Sequence, residues 1–246
     1  MIRNTLIVLF SFFLFQSNAQ KGVSHASFDA LLQKHVDNDG LVDYKGLKSD
    51  RAKLKEYLRS LESNPPKDSW TEDQKLAFWI NAYNAYTIDL VLEHYPVKSI
   101  KDIGSVIQVP FVNTPWDIKF INIDGEKYDL NNIEHGIIRK EFDEPRIHFA
   151  LVCAAISCPK LQNNAYLPNT LDEQLTKAAK DFLSNVEKNE FKSTKSAKLS
   201  KLFNWYGGDF NNDGSLIDYV NQYAPVTLND NAKITWADYD WTLNEQ

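Results

Sequence analysis

The sequence predicts a helix-rich α+β domain with a small, mostly antiparallel sheet, and three observations carry that expectation. Residues 72–94 form one long segment that is apolar on most sides, with Leu76, Phe78, Trp79, Ile80, Tyr83, Tyr86, Ile88, Leu90 and Val91. A helix of that character belongs at the centre of a core. Trp116 to Ile123 alternates, Asp124-Gly125 follows, and Glu126 to Leu130 returns, the pattern of a hairpin closed by a two-residue turn. The composition of the 246 residues, 43% hydrophobic and 24% charged, excludes a disordered polymer, a collagen-like fibre and a disulfide-dense miniprotein. No repeat, low-complexity tract or long linker divides the chain, so a single domain is expected over 20–246, with its core at about 28–244.

Residues 1–19 read as a signal peptide. Arg3 supplies positive charge, Leu6 to Phe15 is apolar, and Ser17-Asn18-Ala19 offers small residues for cleavage before Gln20. The apolar stretch is well short of the roughly 20 residues a bilayer span needs. The mature chain is therefore expected to be exported, periplasmic or secreted, without a membrane span.

Ser27 to Val36 reads as a short amphipathic helix, and Asp39-Gly40 turns the chain. Leu54, Tyr57, Leu58 and Leu61 mark a second helix that stops at Pro65-Pro66. Thr71 and Gln74 form a capping box for the helix that ends before Pro96. Asn131 and Glu134 are placed to cap a fourth helix reaching about Phe142, and Thr170 and Glu173 a fifth. Ile147 to Ala155 is an apolar run of strand length, expected as a fully buried strand. Leu199 to Phe210 and Leu216 to Tyr223 look helical or mixed, and Ile234 to Trp241 is expected as a closing strand.

A net charge of −6 with no basic run argues against nucleic acid as a partner. No Gly-rich phosphate loop, GxSxG elbow or zinc spacing occurs, so no cofactor is expected. Asp209, Asn211, Asp213 and Gly214 mimic the start of a calcium loop, but Val220 stands where a bidentate glutamate is required. Asp37, Asp39, Gly40 and Asp43 mimic it less well. Both stretches are expected to be turns, not metal sites.

The chemistry concentrates between His148 and Pro159. Cys158 precedes Pro159, and proline favours the first position of a helix. If a helical turn starts there, its dipole and free N–H groups would favour a Cys158 thiolate. His148 is a candidate base, and Glu134 and His135 lie on the preceding helix. Cys153 reads as a small buried hydrophobe, or as a partner of Cys158 in a disulfide. Glu134 alternatively caps its helix, and His135 and Arg139 alternatively decorate a helix face as i,i+4 neighbours. Asn81 and Asn84 sit among aromatics on the long helix; they would polarise a substrate carbonyl, donate to an oxyanion, or hold a loop backbone.

The motifs Val42-Asp43-Tyr44, Phe78-Trp79-Ile80-Asn81-Ala82-Tyr83-Asn84-Ala85, Ile133-Glu134-His135, Arg146-Ile147-His148, Ser157-Cys158-Pro159-Lys160-Leu161, Phe203-Asn204-Trp205-Tyr206 with Asp209-Phe210, and Tyr239-Asp240-Trp241 occur in this order. Together they resemble the domain of unknown function 547 family. The resemblance spans roughly 28–244 and implies a shared set of positions, with no substrate attached to it. A more distant likeness, by fold analogy, is to papain-like and transglutaminase-like thiol enzymes. Those start a helix with their cysteine; here the long helix starts at Thr71-Glu72, and Cys158-Pro159 alone could take that part.

Two functions are therefore expected to compete. The first is a thiol-dependent hydrolase or acyltransferase acting on an amide or peptide-like bond. In it Cys158 is the nucleophile, His148 the base and Glu134 the orienting acid; His135 is a substitute base, and Asn81 or Asn84 lines the site. The second is a non-catalytic exported binding module for a peptide or glycan. In that module the same polar residues are structural and Cys153 is bridged to Cys158.

Overall fold

The computed structural model describes residues 22–104, 114–212 and 214–246. The leader expected at 1–19 and Asp213 of the calcium-loop mimic lie outside the described residues. The fold is helix-rich α+β, as the sequence predicts. Helices α1 (Ala26–His35), α2 (Tyr44–Ser49) and α3 (Arg51–Glu62) precede α4 (Glu72–His94). The α4 start carries the capping box: Thr71 Oγ1 accepts from the Gln74 N–H at 3.2 Å, and Gln74 Oε1 accepts from the Thr71 N–H at 2.8 Å. Every α4 residue from Leu76 to Leu92 is buried, which is why its pattern lacks a polar face.

Strands β1 (Ile121–Ile123) and β2 (Glu126–Tyr128) pair antiparallel. The turn between them has φ of 56° at Asp124 and 79° at Gly125, the positive pair that a right-twisted two-residue hairpin requires. The 132–141 segment is a π-helix, Asn132–Ile138, running into α5 (Arg139–Glu141). Neither expected cap holds it: the Asn131 amide donates instead to Asp117 at 2.6 Å. Helix α6 (Leu171–Ser184) forms where expected, but the Thr170 hydroxyl caps no backbone N–H and donates instead to Gln174 Oε1 at 3.2 Å.

Strands β3 (Glu190–Ser193) and β4 (Ser196–Leu199) form a hairpin; short helices α7 (Leu202–Trp205), α8 (Gly207–Phe210) and α9 (Leu216–Asn221) follow. Strand β5 (Lys233–Trp236) then returns parallel to β4, so the small sheet is mixed. The expected closing strand thus ends at Trp236, and residues beyond it leave the sheet to reach the site. Two apolar clusters result. One surrounds α4; the other gathers Phe149, Phe182, Phe203, Phe210 and Tyr219. No helix among the described residues is long and apolar enough to cross a membrane.

The expected strand at 147–155 is not a strand. Pro145–Phe149 is a 3-10 turn, with the Glu144 side chain accepting from the Arg146 N–H at 3.0 Å. Among the described residues the backbone beyond it joins no sheet; Ala155 makes one isolated antiparallel bridge to Leu243. The segment's buried polar groups are satisfied by Asn84 of α4, which donates to the Ala150 carbonyl at 2.9 Å and accepts from the Val152 N–H at 3.0 Å. Asn81, one turn away on the same face, clamps both backbone groups of Tyr166 at 2.7 and 3.0 Å. Gly40 is needed where it stands: with φ of 82°, a Cβ there would lie 2.4 Å from the Lys160 Cβ.

His25 supplies a pH handle on the fold. Its ring is buried, 2.7 Å from the Tyr57 hydroxyl, and burial lowers its pKa to about 4. The unfolded chain binds this proton below its ordinary 6.5, and the folded chain does so only near 4. Stability is thus full above that window and falls as the pH drops through it, by about 3 kcal/mol. Urea unfolding at pH 7 and pH 4.5 is expected to show this loss in the wild type and about half of it or less in His25→Gln. Equal losses in both proteins would place the acid sensitivity elsewhere.

Candidate functional site

The segment from His148 to Pro159 runs between the two apolar clusters and forms one wall of a cavity of about 210 Å³. The cavity is lined by Glu134 and His135 of the π-helix, by His148, Cys153, Cys158 and Pro159, and by an aromatic set: Tyr83, Trp116, Trp205, Tyr206, Tyr239 and Trp241. The aromatic side chains hold one another. Tyr239 lies 4.7 Å from Trp205 and 4.6 Å from Trp241 by ring centroids, and Trp116 lies 5.8 Å from Trp241. Trp205 is 47% exposed, so the cavity opens along an aromatic rim.

Cys153 and Cys158 are joined in a disulfide, with the Cα atoms 6.2 Å apart. Of the two expectations for Cys158, the bridge is what the structure contains, and a bridged sulfur is not a thiolate nucleophile in this state. The helix expected at Pro159 is also absent, so no helix dipole acts on Cys158. The Cys158 Sγ instead accepts from the Cys153 N–H at 3.1 Å and from the Tyr239 hydroxyl at 3.2 Å. Ala154, between the cysteines, has φ of 58°, a left-handed backbone held by the surrounding bonds.

His148 does not meet Glu134. Its Nε2 donates to Asp209 at 2.6 Å, and Arg139 grips the same carboxylate through Nε at 2.6 Å and Nη2 at 2.8 Å. These bonds, the one from His148 foremost, hold the Asp209 carboxyl well below its ordinary range. Asp209 also borders a second cavity, beside Tyr219 and Tyr223, so the His148–Asp209 pair forms part of the partition between the two. The orienting acid of the histidine is therefore Asp209. Sequence reasoning saw Asp209 as a calcium-loop mimic and within a family motif, and gave it no role in the site. The available signal was an acid set between Tyr206 and Phe210 in an otherwise apolar aromatic stretch, where burial demands a cationic partner.

Glu134 has a different role. It is buried and accepts from the Tyr206 hydroxyl at 2.6 Å, and so does not cap its helix. Burial first, and the Glu134 charge second, push the Tyr206 hydroxyl far above its ordinary range, so it stays protonated and donates. Tyr206 links the two halves of the site: its ring stacks on His148 at 3.9 Å and carries the Arg139 guanidinium 5.0 Å above it. The π-helix underlies this arrangement. The Arg139 N–H bonds the Glu134 carbonyl five residues back. The Arg139 Nη1 donates to His135 Nδ1 at 3.1 Å, so that nitrogen is the acceptor. Asn81 and Asn84 hold loop backbone and do not line the cavity, so neither is placed to serve an oxyanion.

Among the described residues, no group of three or more His, Cys, Asp or Glu could hold a metal ion. Residues 67–183 match the family described as "Protein of unknown function, DUF547". Residues 67–183 belong to the DUF547 family. The match contains Asn81, Asn84, Glu134, His135, Arg139, His148, Cys153 and Cys158, and it ends before Tyr206, Asp209, Tyr239 and Trp241. No curated protein matches the chain, and no solved structure does.

Proposed function

We propose that this protein is an exported binding module whose aromatic cavity takes the terminal unit of a glycan. The observation that carries the reading is the combination of the Cys153–Cys158 bridge with an aromatic rim beside Glu134 and His135. The bridge removes the free thiol that acyl transfer would need and suits an oxidising, extracytoplasmic compartment. Tryptophan and tyrosine faces stack on flat apolar surfaces, while the buried Glu134 carboxylate and the exposed His135 imidazole exchange hydrogen bonds with hydroxyl groups. At about 210 Å³ the cavity is smaller than the roughly 300–1,000 Å³ of drug-sized pockets, which favours the end of a chain over its middle.

Tryptophan fluorescence of the oxidised protein, titrated with oligosaccharides and separately with short peptides, tests this reading. Saturable quenching by a glycan, weakened about tenfold or more in Trp205→Ala, is the expected result. Response to peptides alone would move the reading to a peptide module, and no response from either set would remove it.

One observation favours a second reading: Cys158 and the Asp209-supported His148 border the same cavity. Were the bridge opened, this pair would form the core of a thiol hydrolase acting on an amide bond, with Asp209 in the place first given to Glu134. Rapid iodoacetamide labelling of Cys158 at pH 5 in the reduced protein is what that reading requires.

A further inference from the structure

We propose that the Cys153–Cys158 bridge is a thiol–disulfide exchange site, attacked at Cys153 and released at Cys158. Three observations carry this, and none depends on which ligand the cavity takes.

The first is placement. Both sulfurs lie in the cavity wall, and Cys153 is partly exposed while Cys158 is 2% exposed. An incoming thiolate therefore reaches the Cys153 sulfur first.

The second is that the loop does not need the bridge as a staple. The bridge closes a loop with a sequence separation of only 5, and short loops gain least from a cross-link. The same loop is already fixed at both ends and in the middle. Asn84 holds Ala150 and Val152. The Ile156 N–H bonds the Thr242 carbonyl at 2.8 Å, and the Ser157 N–H bonds the Asp240 carbonyl at 3.1 Å. Lys188 donates to the Cys158 carbonyl.

The third is the pair of donors aimed at the leaving sulfur. The Cys153 N–H lies 3.1 Å from the Cys158 Sγ, and the Tyr239 hydroxyl lies 3.2 Å from it and 3.4 Å from the Cys153 Sγ, so Cys158 has two donors where Cys153 has one longer contact. A sulfur that leaves as an anion is stabilised by such donors, and the lower its basicity the faster it leaves.

A thiolate R–S⁻ attacks the Cys153 Sγ; an R–S–Sγ bond forms, the Sγ–Sγ bond breaks, and its electron pair goes to Cys158. A second thiolate attacks the sulfur of R in the mixed disulfide and leaves with it as a disulfide. The Cys153 and Cys158 thiolates take protons from solvent. Two thiols are oxidised by two electrons, and the bridge is reduced by two. A low-molecular-weight disulfide runs the steps backwards and restores the bridge.

The test uses the oxidised full chain and reduced glutathione at pH 8. Acid quenching, alkylation and peptide mass mapping follow at timed intervals, with circular dichroism on parallel samples. The expected result is a glutathione adduct on Cys153 and an alkylated thiol on Cys158, formed in protein that keeps its native spectrum. The bridge should open in native protein at least as fast as in guanidinium-unfolded protein, and Tyr239→Phe should slow native opening about tenfold. A bridge that opens only in unfolded protein, or an adduct on Cys158, would overturn the proposal. So would native opening at an unchanged rate in Tyr239→Phe, or loss of the native spectrum on reduction.

Discussion

Replacing Asn84 with alanine is expected to lower the free energy of unfolding by about 4 kcal/mol, through two buried backbone groups left without partners at about 1–3 kcal/mol each. The Asn84 side chain is 3% exposed, and its two bonds are the ones that hold Ala150 and Val152. Among the described residues no neighbouring strand pairs with them, and a residual cavity adds to the cost. Chemical unfolding of the two proteins measures this directly. The loss should be accompanied by faster amide exchange at Val152 and by a weakened cavity, because Cys153 follows in sequence. A loss under about 1 kcal/mol would show that the 150–152 backbone finds partners without the α4 clamp.

Asp209→Ala is expected to cost about 2–3 kcal/mol, since Asp209 is 27% exposed at its side chain and its removal from this partly buried ionic group strands chiefly the buried His148 ring. The stranded groups are the His148 ring, 1% exposed at its side chain, and the Arg139 guanidinium, 29% exposed. This effect carries a pH signature with a definite sign. The Asp209 carboxyl is held below its ordinary 3.8 in the folded protein. The unfolded chain therefore takes up this proton first as the pH falls. The Asp209 contribution is fully present above about pH 4 to 5 and is lost as the pH falls towards the folded value. The gap in unfolding free energy between wild type and Asp209→Ala should narrow below about pH 4. A gap that stayed constant down to pH 2.5 would mean that Asp209 is not held by His148 and Arg139 in solution.

What the sequence revealed and what it concealed divide along the range of the interactions. The α4 helix with its Thr71–Gln74 box and the Asp124-Gly125 hairpin were legible because cap, turn and periodicity are local. The 147–155 segment was misread as a strand because an apolar run states burial and not hydrogen-bond partners. Those partners are side-chain atoms of Asn84, 66 and 68 positions away. The same asparagines drew attention as possible oxyanion donors, and the loop-holding alternative proved to be the arrangement present. At the site, His148, Glu134, His135 and both cysteines border one cavity, and each stands out in the sequence as a polar or sulfur-bearing group in an apolar neighbourhood. Their pairing was not legible. Asp209, 61 positions from His148, took the acid role first given to Glu134. The π-helical turn, which no cap or period signals, set Glu134 against Tyr206.

The binding reading and the exchange site both require that the two sulfurs be bonded in the wall of the cavity. The measurement that tests this most directly is alkylation of protein isolated from an oxidising compartment, unfolded in guanidinium with iodoacetamide and no reductant, and read by intact mass. The account predicts no alkyl group on either cysteine, and labels at Cys153 and Cys158 only after reduction. Cys158 alkylated without reduction would mean a free thiol beside His148; it would contradict this account and restore the thiol enzyme in its place.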